Sequence, residues 1–259
     1  MVQRAQLSNG LSIVLLERHS TSLVNITLAV DAGYASDSKE RAGLASLALE
    51  LLDDGTTTRD TFRIVDDLDA LGAQVFTDSS LDLSLVRLRA LAPKLRPTLE
   101  VFADVVLRPS FAPDMIEIAR RNRLARIGQE KAQPMAITQR VVPELLFGPE
   151  HAYGKPLTGS GFETSINAIT REELRAWYRS WFHPNNATLI VAGNVTLAAL
   201  VPELERVFGG WQRGQAPVKQ VTATGAASGR RVYLIDKPVR RTRPVPVVGE
   251  RAGADRQDP

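Results

Sequence analysis

Hydrophobic residues recur along the chain with two spacings, one typical of strands and one typical of helices. Leu23–Ala32 alternates apolar and polar positions, which predicts a half-buried strand. Thr61–Leu71 places its apolar residues three and four positions apart, which predicts a helix with Asp60 or Thr61 as its N-cap and Gly72 at its end. The same spacings predict further strands at Ser12–Glu17, Ala73–Thr77, Leu81–Ala90 and Ala187–Ala192.

Six further helices are predicted between and after these strands. Their ranges are Lys39–Asp54, Leu91–Leu107, Pro113–Gln129, Ala136–Leu146, Thr170–Phe182 and Leu197–Phe208. Thr170 and Glu173 have the spacing of a capping box at the start of one of them. Strand pairs that alternate with groups of helices predict an α+β fold class with a mostly antiparallel sheet, and not a doubly wound parallel sheet.

One large domain followed by a short C-terminal region is the predicted organisation. Residues 1–208 carry nearly all of the predicted elements, and residues 209–229, rich in Gly, Ala, Gln and Thr, are predicted to be a linker. A short strand is predicted within residues 230–238. Residues 239–259 are rich in Pro and Arg and have no periodicity, which predicts a disordered or truncated tail.

Composition excludes only a few classes of protein. The 259 residues are 44% hydrophobic and 24% charged, as in ordinary globular proteins, and the net charge is +3. Much of the basic excess lies near the C-terminus, so no basic stripe favours nucleic acid. Cysteine is absent, which excludes disulfides and cysteine-bound zinc. We expect no signal peptide, because Met1 leads directly into a strand pattern, and no membrane span, because no apolar run is long enough.

The predicted helix at residues 42–54 and its flanks carry the most informative pattern. They read AGLASLALELLDD and are followed by Gly55-Thr56. This frame resembles the zinc-binding helix of the insulinase / pitrilysin / mitochondrial processing peptidase family. Active members of that family have His-x-x-Glu-His between a Gly-Leu or Gly-Thr lead-in and a Gly-Thr exit. Further matches in order and spacing are residues 7–11, 31–33, 71–73, 150–154, 169–174, 177–178 and 182–187.

On these matches the chain, from Leu7 to Pro238, is identified as a member of this family. The resemblance implies the processing-peptidase-like metallohydrolase fold, whose domains each have an antiparallel sheet with helices packed on one face. One such domain has about the length of this chain, and most members carry two or more in tandem.

The motif positions lack the residues that hold zinc. In His-x-x-Glu-His, two imidazoles four residues apart share one helix face and bind one Zn²⁺, and the glutamate takes a proton from the metal-bound water. Here Ser46 and Glu50 stand at the histidine positions and Leu49 at the glutamate position. Ser46 is a poor zinc ligand, Leu49 cannot act as a base, and Glu50 is a single oxygen ligand. We therefore predict no catalytic residue, no metal ligand and no zinc cofactor.

No other part of the chain is predicted to restore the metal site. In active members the third zinc ligand is a glutamate on a later helix, and the matching position falls near Arg126-Ile127. Glu130, about one turn further, is expected to be a solvated charge at the helix end. The histidines have no ligand spacing, and structural roles are expected for the second and third of them. They are His19, His151 and His183.

The strand after the second helix is the candidate peptide-binding element. In active relatives an extended peptide adds to the corresponding sheet edge through main-chain hydrogen bonds. The residues are Ala73, Gln74, Val75, Phe76 and Thr77. The alternative is an ordinary sheet strand with Val75 packed inward. Basic residues on a later helix are expected to line either a peptide chamber or a solvated helix face. They are Arg120, Arg121, Arg123 and Arg126.

The resemblance also implies a role for a chain without the zinc motif. Several family members work as pairs in which one domain or subunit holds zinc and its sister has lost it. We therefore predict a non-catalytic domain that pairs with an active sister subunit or domain to form a peptide-binding chamber. A stand-alone peptide-binding or assembly module is the alternative, and an active zinc metalloendopeptidase is disfavoured by the missing ligands. The compartment stays open between the cytoplasm and, for part of a longer exported protein, the periplasm.

Overall fold

Six strands form one mixed sheet in the computed structural model, which describes residues 2–221 and 233–235. The strand order is β1-β2-β6-β3-β5-β4. The β2–β6 pair is parallel, and the other neighbouring pairs are antiparallel. The bounds are β1 Val2–Gln6, β2 Ser12–Glu17, β3 Leu23–Val30, β4 Gln74–Ser79, β5 Ser84–Leu91 and β6 Ala187–Gly193. The predicted α+β class with a mostly antiparallel sheet is confirmed.

Eight α-helices accompany the sheet in the described residues, and none of them is both long and apolar enough to cross a lipid bilayer. The first four are α1 Leu44–Glu50, α2 Thr61–Leu71, α3 Leu95–Leu107 and α4 Pro113–Ala132. The last four are α5 Pro134–Phe147, α6 Glu163–Ala168, α7 Arg171–Trp181 and α8 Leu197–Phe208. The sequence did not predict α6.

Period-two patterning places one face of the sheet against the helices. In β3, Val24, Ile26, Leu28 and Val30 are fully buried, whereas Asn25 between them is exposed. The buried side chains of all six strands except β1 and β4 join those of the helices in one hydrophobic core. Burial of this face is the main favourable term for the domain, because each large apolar side chain removed from water contributes about 2 kcal/mol.

Local sequence signals determine several helix ends. Asp60, and not Thr61, is the N-cap of α2, because its carboxylate accepts a hydrogen bond from the Arg63 N–H at 2.8 Å. At α7 the predicted capping box is present: the Thr170 hydroxyl accepts from the Glu173 N–H, and the Glu173 carboxylate accepts from the Thr170 N–H.

Helix α1 is shorter than predicted, for two physical reasons. Gly43 precedes it with φ of 98°, a left-handed conformation that ends any helix continuing from Lys39–Arg41, which forms only a 3₁₀ turn. Asp37, buried before the turn, then caps the start of α1. Its carboxylate oxygens accept the N–H groups of Gly43 and Ala45 at 2.9 and 3.0 Å. The sequence missed this cap because Asp37 lies outside the predicted helix.

Lys155 holds the loop that carries this cap. Its buried ammonium donates to the carbonyl groups of Ala35, at 3.3 Å, and Asp37. Burial raises the pKa of Asp37 to about 7, although the N–H group of Ala45, the charge of Lys155 and the N–H group of Gly43 each act to lower it. The N-terminus of α1 is therefore fixed by a buried pair of charged groups.

The β4–β5 hairpin turns later than predicted. The predicted strands Ala73–Thr77 and Leu81–Ala90 leave residues 78–80 for the turn, but β4 continues to Ser79 and β5 begins at Ser84. The Ser80 hydroxyl and N–H group both bond to the main chain of Leu83, which stabilises this later turn.

The chain divides into two units after Ala223. The first unit contains every helix and strand named above. Of the second, residues 224–259, only Tyr233–Ile235 is described, and these three residues have no regular secondary structure. The rest of the predicted strand within 230–238 and the predicted tail lie outside the described residues, and the predicted linker is described only as far as residue 221.

Replacement of Gly43 by alanine is expected to destabilise the domain by about 2 kcal/mol, because a Cβ there is strained in the left-handed region. A Cβ on Gly43 would also lie 2.7 Å from the Ile166 side chain. The matched control is Gly128→Ala in α4, where a Cβ meets nothing within 4 Å. Chemical denaturation should show Gly128→Ala to be neutral or stabilising by up to about 1 kcal/mol. Equal effects of the two changes would contradict this account of α1.

Candidate functional site

The three motif positions lie on α1 in three different environments. Ser46 is 8% exposed, and its hydroxyl oxygen has no hydrogen-bond partner among the described residues. Leu49 is 1% exposed and belongs to the hydrophobic core. Glu50 closes the helix, and its side chain is 36% exposed. The glutamate base at position 49 and the two metal-binding imidazoles of the family motif are therefore missing from α1.

Arg123 of α4 reaches the motif positions from the other side. Its side chain is 6% exposed. One terminal nitrogen contacts a carboxylate oxygen of Glu50 and lies 3.3 Å from the Ser46 carbonyl oxygen, and the other lies 3.4 Å from the carbonyl oxygen of Gly159. A guanidinium, with all its contacts to oxygen acceptors, thus lies between α1 and α4.

The structure places the residues near the predicted third ligand position in different environments. The sequence count predicts that position near Arg126-Ile127. Arg126 is exposed and Ile127 is fully buried in the core, whereas Arg123, one turn earlier, faces α1. None of these three side chains is a zinc ligand of the kind that the family uses.

The four arginines predicted to share a role on α4 do not share one. Arg121 and Arg126 are exposed, as a solvated helix face requires. Arg123 is buried, and Arg120 is half-buried and donates to the carbonyl oxygens of Ile166 and Ile169. Neither alternative therefore describes the whole group.

Glu130 is not the solvated charge that the sequence predicted. It is 8% exposed, and its carboxylate accepts from Arg140 and Ser160, each at 2.7 Å, and from Thr158 at 3.2 Å. Arg126 completes the set at 3.4 Å. The prediction was wrong because the partners come from α5 and the following loop. This network holds residues 158–161 against the motif positions.

The exit from the motif helix has its own anchor. The carboxylate of Asp104 is fully buried and accepts from the hydroxyl groups of Thr56 and Thr58, both at 2.7 Å. Arg59 and Arg108 donate to it at 2.6 and 2.5 Å. Burial alone would raise the pKa of Asp104, but these four hydrogen bonds outweigh burial and lower the pKa to about 2. Thr56 of the Gly-Thr exit thus ties the end of α1 to α3.

Strand β4, which contains most of the predicted peptide-binding residues, is an edge of the sheet. Ala73 precedes the strand and is buried. Gln74 and Phe76 are exposed, and Val75 and Thr77 are half-buried. Val75 packs inward on the core, as the ordinary-strand alternative expected, yet β4 has no partner strand on its other side among the described residues.

The register of the hairpin fixes which main-chain groups of β4 point away from the sheet. The Ser80 N–H donates to the Leu83 carbonyl, and the Ala92 N–H donates to the Ser22 carbonyl, both at 2.8 Å. Hydrogen-bonded pairs recur at every second residue of an antiparallel ladder. In β4 the even-numbered residues therefore bond to β5, and the N–H and C=O groups of Thr77 point outward from the edge.

A cleft of about 420 Å³ lies between α1, α4 and the edge of β4. Its walls are mostly polar. The lining residues are Ser46, Leu49, Glu50, Thr77, Asp78, Ser79, Asn122, Arg123, Arg126 and Thr158. The structure thus brings the motif positions and the end of the candidate peptide strand to one cleft, whereas Ala73, Gln74, Val75 and Phe76 do not line it.

The three histidines lie apart from this cleft. His19 is exposed, and its ring Nδ1 lies 2.7 Å from the side-chain Oδ1 of Asn194. The ring of His151 stacks on Phe147 at a centroid distance of 5.2 Å, and His183 is half-buried beside Pro184. No cluster of three or more His, Asp or Glu side chains with metal-binding geometry occurs in residues 2–221 and 233–235.

Family comparison agrees with the motif frame and the fold. The family model described as Insulinase (Peptidase family M16) matches residues 12–159, more than half of the chain. The chain belongs to the insulinase family. A second model, described as Peptidase M16 inactive domain, matches residues 168–245 of this insulinase-family chain. The resemblance inferred from short motifs is therefore confirmed.

Relatives of this insulinase-family chain are longer proteins. An uncharacterized zinc protease of Mycobacterium tuberculosis is 26% identical over 242 residues, which are 93% of this chain and 55% of that protein. A peptidase M16 inactive domain from Pseudomonas fluorescens superposes with a TM-score of 0.80 at 22% identity, over 87% of this chain and 54% of the other. The periplasmic protease PqqL from Escherichia coli gives 0.77 at 19% identity, over 87% and 25%. The chain spans about half the length of the curated relatives it matches.

The residues of the cleft do not fit the zinc ion that the family implies. Zinc sites in proteins need three or four nitrogen, sulfur or carboxylate ligands. Here one hydroxyl, one carboxylate already bonded to a guanidinium, and a leucine take the motif positions. The unpartnered hydroxyl of Ser46 is a neutral hydrogen-bonding group and a weak metal ligand. Absence of bound zinc stays a prediction that a metal assay must test.

The pH dependence of stability should report the Asp104 anchor. Because folding lowers the pKa of Asp104 from its ordinary value of 3.8 to about 2, its ionised form stabilises the fold by about 2 kcal/mol. This contribution is complete above about pH 4 and is lost as the pH falls toward 2. Unfolding free energies of wild type and Asp104→Asn should therefore differ most near neutral pH and converge in acid.

The matched control for this series is Asp66→Asn, a change at an exposed carboxylate on α2. It should alter the unfolding free energy by less than about 0.5 kcal/mol. A difference between wild type and Asp104→Asn that stays constant from pH 7 down to pH 2 would refute the anchor.

Proposed function

We propose that this chain is a non-catalytic insulinase-family domain that binds an extended peptide along β4 and works beside an active sister domain or subunit. The observation that carries the proposal is the cleft between α1 and the β4 edge. It retains the polar walls and the open strand of a peptide site, but its motif positions are Ser46, Leu49 and Glu50. Binding is therefore the property that the cleft supports, and hydrolysis is not.

Two features of the cleft support peptide binding. The outward N–H and C=O groups of Thr77 have no main-chain partner in residues 2–221 and 233–235, and pairing with an added strand would give sequence-tolerant main-chain hydrogen bonds. The buried hydroxyl of Ser46 has no partner among the described residues, and a buried polar group without a partner costs about 1–3 kcal/mol. Rotation of the Ser46 side chain toward the cleft would let a polar peptide group supply that partner.

The length comparison supports a sister domain. The chain covers 55% of a mycobacterial zinc protease and 54% of the Pseudomonas fluorescens structure. A companion half therefore belongs to those proteins beyond the region that resembles this chain. In the proposal a companion with the zinc motif supplies hydrolysis, and this domain supplies part of the peptide-binding wall. A stand-alone peptide-binding module is the competing proposal.

Proline at position 77 should block strand addition. Thr77→Pro removes the outward N–H group, and proline is tolerated on a sheet edge where that group is not used inside the sheet. Loss of one or two main-chain hydrogen bonds should weaken binding about tenfold. Fluorescence anisotropy with a fluorescein-labelled casein digest measures the change. Thr77→Ala, which keeps the N–H group, should bind within about twofold of wild type, and an equal loss in both variants would contradict strand addition.

Catalysis should require the sister. Incubated with zinc and labelled casein, the purified chain is expected to give no cleavage that a chelator abolishes. Added to a sister subunit that carries His-x-x-Glu-His, it should raise the cleavage rate above that of the sister alone. A sister whose motif glutamate is replaced is the control. Chelator-sensitive cleavage by the chain alone would refute the proposal, and peptide binding without any effect on a sister would favour the stand-alone module.

A further inference from the structure

We propose that Arg123 is a built-in cation that takes the place of a metal ion between α1 and α4 and excludes divalent metals from this position. The proposal depends on the contacts of Arg123 and not on peptide binding. It adds a second reason to expect no zinc at this position. The zinc ligands are missing from α1, and in addition a positive charge is fixed in the space where the ion would lie.

The contacts of Arg123 resemble a coordination set built from hydrogen bonds. The guanidinium contacts the Glu50 carboxylate and the Ser46 carbonyl of α1, and the Gly159 carbonyl of the following loop. These acceptors lie 73, 77 and 36 residues away along the chain. One side chain of α4 therefore joins that helix to α1 and to the loop at Gly159, as a metal ion joins segments through its ligands.

Neighbouring groups keep Arg123 in this place. The loop that carries Gly159 passes so close to α1 that a Cβ on Gly159 would lie 2.9 Å from the Ser46 hydroxyl oxygen. The buried Glu130–Arg140 pair at 2.7 Å fixes the same loop through Ser160. The loop that carries the Gly159 carbonyl oxygen is therefore held in position by contacts that do not involve Arg123.

Charge and ligand supply both oppose a divalent ion here. Arginine stays protonated at every pH at which proteins are folded, so its charge cannot be removed by a proton equilibrium. Inside a protein, like charges a few ångströms apart repel far more strongly than in water. Glu50, the one carboxylate at the motif positions, is already bonded to the guanidinium. Imidazoles returned to α1 would therefore still face the positive charge of Arg123.

The test restores the two imidazoles and then changes the charge opposite them. Ser46→His/Glu50→His is prepared with Arg123 intact, with Arg123→Gln and with Arg123→Glu, and Leu49 stays unchanged because it is buried in the core. Zinc affinity is measured by isothermal titration calorimetry and zinc content by mass spectrometry after dialysis. With Arg123 intact, no stoichiometric zinc is expected. Arg123→Gln should tighten binding about tenfold or more, and Arg123→Glu further still.

A charge change at an exposed position of α4 outside the cleft provides the matched control. Arg121 is exposed and does not line the cleft, so Arg121→Gln in the Ser46→His/Glu50→His background should leave zinc affinity unchanged. The proposal is overturned if the variant with Arg123 intact binds zinc as tightly as the Arg123→Gln variant. It is also overturned if Arg121→Gln tightens binding to the same extent.

A second measurement decides the matter if the histidine variants do not fold. Single Arg123→Gln and Arg121→Gln changes are compared by thermal unfolding in the otherwise natural chain. Arg123→Gln should lower Tm clearly, because it leaves Glu50 and two carbonyl groups without their donor, and Arg121→Gln, at an exposed position, should lower it little. Equal shifts would overturn the role of Arg123 as the link between α1 and α4.

Discussion

The position of α1 depends on charged side chains that bind its two ends. At the N-terminus the Asp37 carboxylate accepts main-chain N–H groups, and at the C-terminus the Glu50 carboxylate bonds to Arg123. A seven-residue helix has too few internal hydrogen bonds to be stable alone. Its place between the sheet and α4 therefore comes from burial of its apolar side chains and from these two anchors. The position of α1 in turn determines the geometry of the cleft, of the motif positions and of the neighbouring loop.

Charged groups in this domain are buried in sets, and each set joins segments that are distant in the chain. The Asp104 carboxylate accepts hydrogen bonds from residues of the loop after α1. The Glu130 carboxylate accepts hydrogen bonds from α5 and from the loop that follows α5. Removing one member of a buried pair leaves an uncompensated charge, which costs several kcal/mol. Such contacts join α1, α4 and the loop at residues 158–161 to one another.

Sequence predicted those parts of the structure that are determined over short distances. The capping box of Thr170 and Glu173, the Asp60 cap and the period of two in β3 each involve residues within a few positions of one another. The contacts that define the cleft are long-range. Arg123 meets Glu50 across 73 residues, and nothing in either local pattern signals that pairing. Glu130 appeared solvated for the same reason, since its partners are visible only in three dimensions. The motif frame located the cleft because family resemblance carries such long-range information.

Orientation of the β4 edge has a consequence for the sequence preference of any strand that joins it. An added strand can shift along β4 only in steps of two residues, because only alternate residues of the edge present free main-chain groups. At each allowed position, every second side chain of the guest faces the helices and the others face the open side of the sheet. Near Thr77 and Ser79 the helix-side positions meet a polar cleft, and next to Phe76 the opposite positions meet an exposed aromatic ring. A strand added here would therefore fit best with alternating polar and apolar residues, and no single residue would be required.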